Sequence, residues 1–254
     1  MRVVRNIGYV RQRKRRARWS ALLGFLLLLS VSVIWFYPRF ILFAYAVLFL
    51  GYVVFSYGMQ QMGKWNRNPR NDNILDERLK TLPDKFTLIH YGTAGGKVIE
   101  HMLVYPGGVL ALTARAVPGG VTGRGSRWRK QGFGLTRLFG SGPALGNPSY
   151  ETQQSVAAIE QALEAAQLEV DVEGAIVFVN PQVRLDAEDT DYPAMVVDAL
   201  PGFVRSLPAD TTFKPAERQQ VIDVLSSGVE LEAPERAKTR RPVRTRRPVK
   251  KKAA

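Results

Sequence analysis

Two uninterrupted apolar stretches, residues 19–37 and 40–59, constrain this chain more than any other feature. Neither contains a charged side chain. At about 1.5 Å rise per residue, each helix is long enough to cross about 30 Å of hydrocarbon. Pro38 and Arg39 stand between them. Proline removes a helix hydrogen bond and arginine resists burial in lipid, so the helices are expected to turn back there as a hairpin over residues 19–59. Trp19, Trp35, Tyr37 and Tyr57 fall near the ends, where amphipathic rings favour the interface. A signal peptide would have a shorter apolar run and a small-residue cleavage site, and a soluble hairpin would show a polar stripe. Gly24, Gly51 and Gly58 permit close helix approach, but no small-xxx-small pair stands out as an assembly surface.

Charge then orients the hairpin. Eight Lys/Arg precede the first stretch and Lys64, Arg67 and Arg70 follow the second, against Arg39 alone in the turn. The excess of cations belongs on the cytoplasmic side, so both termini are expected in the cytoplasm and the protein in the cell membrane. All 22 acidic residues lie between Asp72 and Glu235; 17 basic residues accompany them in 64–218, a balance near −5. The overall charge of +14 therefore belongs to the ends, and the middle is not a uniformly basic nucleic-acid-binding domain. With no cysteine, disulfides and thiolate metal sites are excluded.

The remaining chain divides by composition. Residues 1–18 form a basic terminus, 60–73 a polar juxtamembrane linker, 74–230 an α/β domain with a small central sheet, and 231–254 a tail of Arg, Lys, Pro, Thr and Ala that has nothing apolar to fold around and is expected to be disordered. Within the domain a short helix is expected over 74–82 and strands over 86–91, 98–105, 109–116 and 174–180. Further helices are expected over 150–167, capped by Ser149, over 200–206 and over 215–225. The loop at 92–96 lacks phosphate-cradle spacing. Segment 118–146 reads as a long glycine-rich surface loop. There Arg124, Arg127, Trp128, Arg129 and Lys130, with Arg137, Phe133 and Phe139, offer cations and rings of the kind that hold a phosphate backbone and stack on bases. Asp186, Glu188, Asp189 and Asp191 read as a solvated acidic loop without calcium-loop spacing.

The stretch 98–116 comes nearest to a chemistry. With Gly107-Gly108 as a two-residue turn, Pro106 lies opposite Val109, Met102 opposite Thr113 and Glu100 opposite Arg115. Glu100, Thr113 and Arg115 then share one face, where Glu100 and Arg115 also suit an ordinary cross-strand ion pair. His101 faces the other way as a partly buried, satisfied histidine; with His90 the only other histidine, a histidine metal site is not expected.

Several features form an ordered set: Ile99-Glu100-His101, then Pro106-Gly107-Gly108-Val109, Trp128 after a glycine-rich loop, Asn147-Pro148 opening a helix, and the strand 175–179. Over residues 76–207, about half the chain, this set resembles the NERD (nuclease-related) domain family. The resemblance implies a restriction-endonuclease-like fold of the PD-(D/E)XK type and a Mg²⁺-dependent nuclease site. It places the family's aspartate on Glu100, the glutamate of its Glu-x-Lys motif on Thr113, the lysine on Arg115 and a helix-borne glutamate on Glu77. Thr113 offers a neutral, weak ligand and Arg115 no readily released proton, so the site is degenerate relative to the family. The expected function is binding of nucleic acid or a protein partner at the membrane, with the tail drawn to anionic lipid or nucleic acid. A Mg²⁺-dependent nuclease and a membrane scaffold are the alternatives.

Overall fold

Small residues recur every seven positions on both long helices. Helix α1 (Ile7–Ile34) buries Val10, Ala17 and Gly24, together with Ala21, and α2 (Ile41–Trp65) buries Ala44, Gly51, Gly58 and Trp65. A seven-residue period keeps one seam turned toward an antiparallel partner, and the small side chains let the backbones touch. A Cβ on Gly58 would lie 2.4 Å from the Ala21 amide nitrogen, and one on Gly24 2.3 Å from that of Phe55. The close-packing signal therefore exists, spaced by seven rather than by four. A 3₁₀ turn (Pro38–Phe40) joins the helices. Leu22, Phe25, Leu29, Phe43, Phe49 and Tyr52 face outward. Only 17% of each helix's most apolar window is buried, unlike the core helices of a soluble protein, and both helices are long and apolar enough to cross a bilayer.

The computed structural model describes residues 1–34, 36–131, 143–210 and 213–227. The tail 231–254, Trp35, Phe133, Arg137 and Phe139 lie outside the described residues. Two expected boundaries move. Residues 11–18 are not a separate terminus: they are the first turns of α1, because Arg, Gln, Lys and Ala are strong helix formers and no glycine or proline interrupts them. Ahead of them β1 (Arg2–Arg5) joins the domain's sheet. The linker expected at 60–73 shrinks to residues 66–70, since α2 continues to Trp65 and α3 (Asn71–Leu79) begins after a five-residue connector.

The domain is a mixed α/β unit. Strands β2 (Thr87–Ala94), β3 (Lys97–Tyr105), β4 (Gly108–Arg115), β7 (Val172–Phe178) and β9 (Ala194–Val196) complete a six-stranded sheet of order β1-β2-β3-β4-β7-β9. The β2–β3 and β3–β4 pairs are antiparallel and the rest parallel. One face packs Ile89, Met102, Val104, Val109 and Ala111 against α4 (Pro148–Ala165) and α6 (Pro215–Leu225). The other packs Leu88, Leu103, Tyr105 and Leu110 against α3 and α5 (Leu200–Ser206). Asn147, not Ser149, caps α4, its side chain accepting from the Tyr150 amide. The expected loop 118–146 holds β5 (Gly119–Gly125) and β6 (Arg127–Lys130), and the expected acidic loop is β8 (Val183–Thr190). These three make a second sheet, β6-β5-β8. Its acids and cations pair across strands, which sequence spacing does not show.

The glycine seam makes a direct prediction. In detergent, Gly58→Val should lower thermal stability by about 1–3 kcal/mol through overpacking. Gly63→Ala, whose new Cβ meets nothing within 4 Å, should be neutral or slightly stabilising. Equal melting of both variants would mean that the seam is not tightly closed.

Candidate functional site

Asn6 is the one residue between β1 and α1. Its amide donates to the His90 carbonyl at 3.1 Å, its carboxamide oxygen accepts from the Tyr9 amide at 2.9 Å, and its Nδ2 donates to the Tyr91 carbonyl at 3.3 Å. One side chain thus caps the first long helix and ties it to β2. Tyr9 of α1, Trp65 at the end of α2 and Tyr91 of β2 then form a triangle of rings, with centroids 5.5–5.8 Å apart. Trp65 and Tyr91 are buried. Tyr91 holds a left-handed backbone (φ 59°), a conformation costing about 1–3 kcal/mol that persists only where surroundings over-determine it. Here the Asn6 bond to its carbonyl and the stacked rings provide that constraint.

Beneath the rings lies a buried charge layer. Asp72 has no exposed surface and receives Arg70 through Nε at 3.0 Å and through a second guanidinium nitrogen at 2.5 Å. Nε of Arg5 lies 3.3 Å from the same carboxylate, and Arg5 also forms an ion pair with Asp76. Burial pushes the Asp72 carboxyl up, but Arg70 and Arg5 outweigh it and hold the group below its ordinary value of 3.8. Asp76, one helical turn on, also contacts His90 Nε2 at 2.8 Å, and Nδ1 of His90 lies 2.7 Å from Nδ1 of His101. One of those two nitrogens carries the hydrogen and the other accepts it. His101 is fully buried, and its Nε2 has no partner among the described residues. Burial first, then the neighbouring His90, push its pKa down to about 3, so it stays neutral.

On the opposite face lie Glu100, Thr113 and Arg115. Strands β3 and β4 pair Met102 with Ala111 and Tyr105 with Gly108, so the turn is Pro106-Gly107 and the expected register is wrong by two residues. The reason is Gly108. Its neighbour Val109 donates its amide to the Asp171 carbonyl, and a Cβ on Gly108 would lie 2.3 Å from that oxygen. This glycine serves the approach of the chain entering β7, not the turn. An even shift keeps every side chain on its face. Glu100, Thr113 and Arg115 therefore still line one cleft of about 190 Å³, joined by Glu151 and Gln154 of α4.

Their partners differ from the expected cross-strand pair. Glu100, one-third exposed (34%), bonds Lys64 at the end of α2. Burial acts to raise its pKa, yet Lys64 and other neighbouring charges hold it below the usual carboxylate value. Arg115 pairs with Glu151 and donates from Nε to the Leu145 carbonyl at 2.9 Å. The Thr113 hydroxyl is hydrogen-bonded to that of Thr152 at 2.7 Å. Glu77 does not join them; it is exposed on α3 and pairs with Lys80, while Asp72 and Asp76 occupy the inward face. Among the described residues no group of three or more His, Cys, Asp or Glu is placed to hold a metal.

The expected base-stacking set is also rearranged. Trp128 is half-buried: its ring packs on Phe178 with centroids 5.6 Å apart, and its Nε1 donates to Ser149 Oγ at 2.8 Å, so it is not a free stacking platform. Arg124 pairs with Asp186 at 3.1 Å and Glu188 at 3.3 Å. Arg127 and Arg129 remain exposed on β6, and Lys130 is half-buried.

No family model, curated protein or solved structure matches this chain. The residues that sequence reasoning missed are Arg5, Lys64, Arg70, Asp72, Asp76 and Glu151. Only Asp72 and Asp76 carried a local signal, their i, i+4 spacing on one helix face.

Two outcomes test the charge layer. Asp72→Asn should destabilise the domain by about 3–5 kcal/mol, because it leaves two guanidinium groups without their buried partner. Amide exchange should then be fastest in β1, and uniform exchange would count against the junction. A second outcome concerns pH. Folded His101 stays neutral down to about 3, whereas the unfolded side chain protonates below its ordinary 6.5. Stability should therefore fall as pH drops from 6.5, by up to about 1.4 kcal/mol per pH unit. The loss of Asp72 pairing adds below pH 3.8. Denaturant titrations of His101→Asn should show a shallower slope between pH 6 and 4.

Proposed function

We propose that this protein is a membrane-fixed, nuclease-like binding domain whose catalytic position has become a structural junction. The observation that carries the reading is the Lys64–Glu100 ion pair: the carboxylate on which the NERD resemblance places the metal-binding acid is joined to the end of the second long helix. Thr113 is bonded to Thr152 and Arg115 to Glu151, so each motif position has a protein partner. Mg²⁺ prefers carboxylate and water oxygens in octahedral array, and this donor set does not fit it.

In this reading both termini face the cytoplasm, with the basic first turns of α1 at the inner surface, and the restriction-endonuclease-like domain is held against the bilayer. It binds an anionic partner, nucleic acid or an acidic protein face, through the exposed Arg127 and Arg129 and the ten basic residues of 236–252. The scaffold alternative keeps the outward apolar face of the hairpin as its surface but not Gly24, Gly51 and Gly58, which meet the other helix of the pair.

Purified full-length protein should therefore leave single- and double-stranded DNA and RNA intact with Mg²⁺ or Mn²⁺. It should bind them with steep salt dependence, and Arg127→Glu/Arg129→Glu should weaken binding by about ten-fold or more. Metal-dependent cleavage that disappears in Glu100→Gln would overturn the proposal.

A further inference from the structure

A second, larger cleft of about 490 Å³ opens where α2 meets the domain. Its walls include Gln61 and Lys64 from the last turns of α2, Arg67 beyond them, Asn71 at the start of α3, Arg115 at the end of β4, and Asn180. That volume falls in the range of sites that enclose small ligands. Three of these residues are cations, and two are already engaged by the two carboxylates that also line the cleft, Lys64 by Glu100 and Arg115 by Glu151. Arg67 is half-buried and has no ion-pair or hydrogen-bond partner among the described residues. A partly desolvated guanidinium without an anion is the group that most favours an incoming phosphate, which it can hold through two parallel N–H bonds. Asn71 and Gln61 add neutral polar side chains.

Depth selects the source of that phosphate. The apolar stretch ends at Met59, and Lys64 lies five residues further along the same helix, about 7 Å beyond the hydrocarbon edge. The headgroup layer is roughly 5–8 Å thick on each side of the bilayer. The side of the cleft formed by Lys64 thus sits at the outer edge of the headgroup layer when the hairpin spans the membrane, with Arg67 beyond the helix end on its cytoplasmic side.

We infer that the α2–α3–β4 cleft binds the phosphate of an anionic lipid headgroup, with Arg67 as its principal ligand. The inference rests on the membrane-spanning reading of the hairpin. It gives the end of α2 a second role beside the Glu100 lock: Lys64 closes one side of the cleft while Arg67 binds at the other.

The test uses full-length protein in nanodiscs of equal phosphatidylglycerol and phosphatidylcholine, analysed by native mass spectrometry. Phosphatidylglycerol adducts should dominate, and Arg67→Ala should reduce them about five-fold, the loss of one near-surface cation. Gly63→Trp should reduce them similarly with every charge in place, because a side chain there meets no neighbouring atom within 4 Å and projects at the cleft wall. Arg129→Ala, on the distant β6, should leave them unchanged. Thermal melting of Arg67→Ala in parallel separates loss of the ligand from loss of the fold. Wild-type adduct levels in both Arg67→Ala and Gly63→Trp would overturn the assignment, as would an equal loss in Arg129→Ala. Displacement of the lipid by millimolar inorganic phosphate would point to a soluble phosphate ligand and overturn the lipid source. Failure of the wild-type protein to co-elute with nanodiscs would instead sink the membrane reading beneath it.

Discussion

Asp72 carries a full charge with no exposed surface, and a carboxylate out of water is stable only where cations meet it. Its two cations arrive from the two ends of the helical hairpin. Arg5 precedes α1 and Arg70 follows α2, so a single buried group ties both chain segments that lead into the apolar helices. Asn6 and the Tyr9–Trp65–Tyr91 triangle reinforce the same closure with a helix cap and buried aromatic area. The hairpin and the α/β domain are therefore joined through packed contacts on both chain segments rather than hung from a tether.

That closure reaches the cleft lined by Glu100, Thr113 and Arg115. Lys64 is half-exposed and Glu100 one-third exposed, and an ion pair of that exposure contributes only about 0–1 kcal/mol. A metal ion with a full ligand set would displace it easily. The Thr113 hydroxyl is bonded to that of Thr152, and the charge of Arg115 is met by Glu151. Each of the three polar side chains of the cleft thus has a protein partner, Glu100 through Lys64 at the end of α2. The cleft beside it keeps one cation, Arg67, without an ion-pair partner among the described residues.

The second sheet shows the same economy of charge. Arg124 and the acids of β8 face each other across parallel strands, and Trp128 turns inward to Phe178 and Ser149. Residue types that suit a nucleic-acid surface serve mainly to hold β5, β6 and β8 together, leaving Arg127 and Arg129 for solvent.

Local pattern determined a good deal of this protein. Unbroken apolar stretches set the two long helices, helical periodicity set α4 and α6, continuous β-rich apolar runs set the central strands, and an even register kept Glu100, Thr113 and Arg115 on one face although the predicted pairing was off by two. Those features depend on spacing within a segment, which sequence displays. Tertiary structure alone decided the rest: that residues 2–5 form an edge strand, that Gly108 serves the chain entering β7 rather than the turn, that Asp72 collects arginines from both ends of the hairpin, and that Glu100 answers to Lys64. Each is a pairing of groups far apart in sequence, and its energy depends on burial and orientation that only the assembled fold supplies. The stretch from Glu100 to Arg115 reads in sequence as a site with a missing acid, and in the folded chain its three polar side chains are each met by a protein partner, Lys64, Thr152 and Glu151.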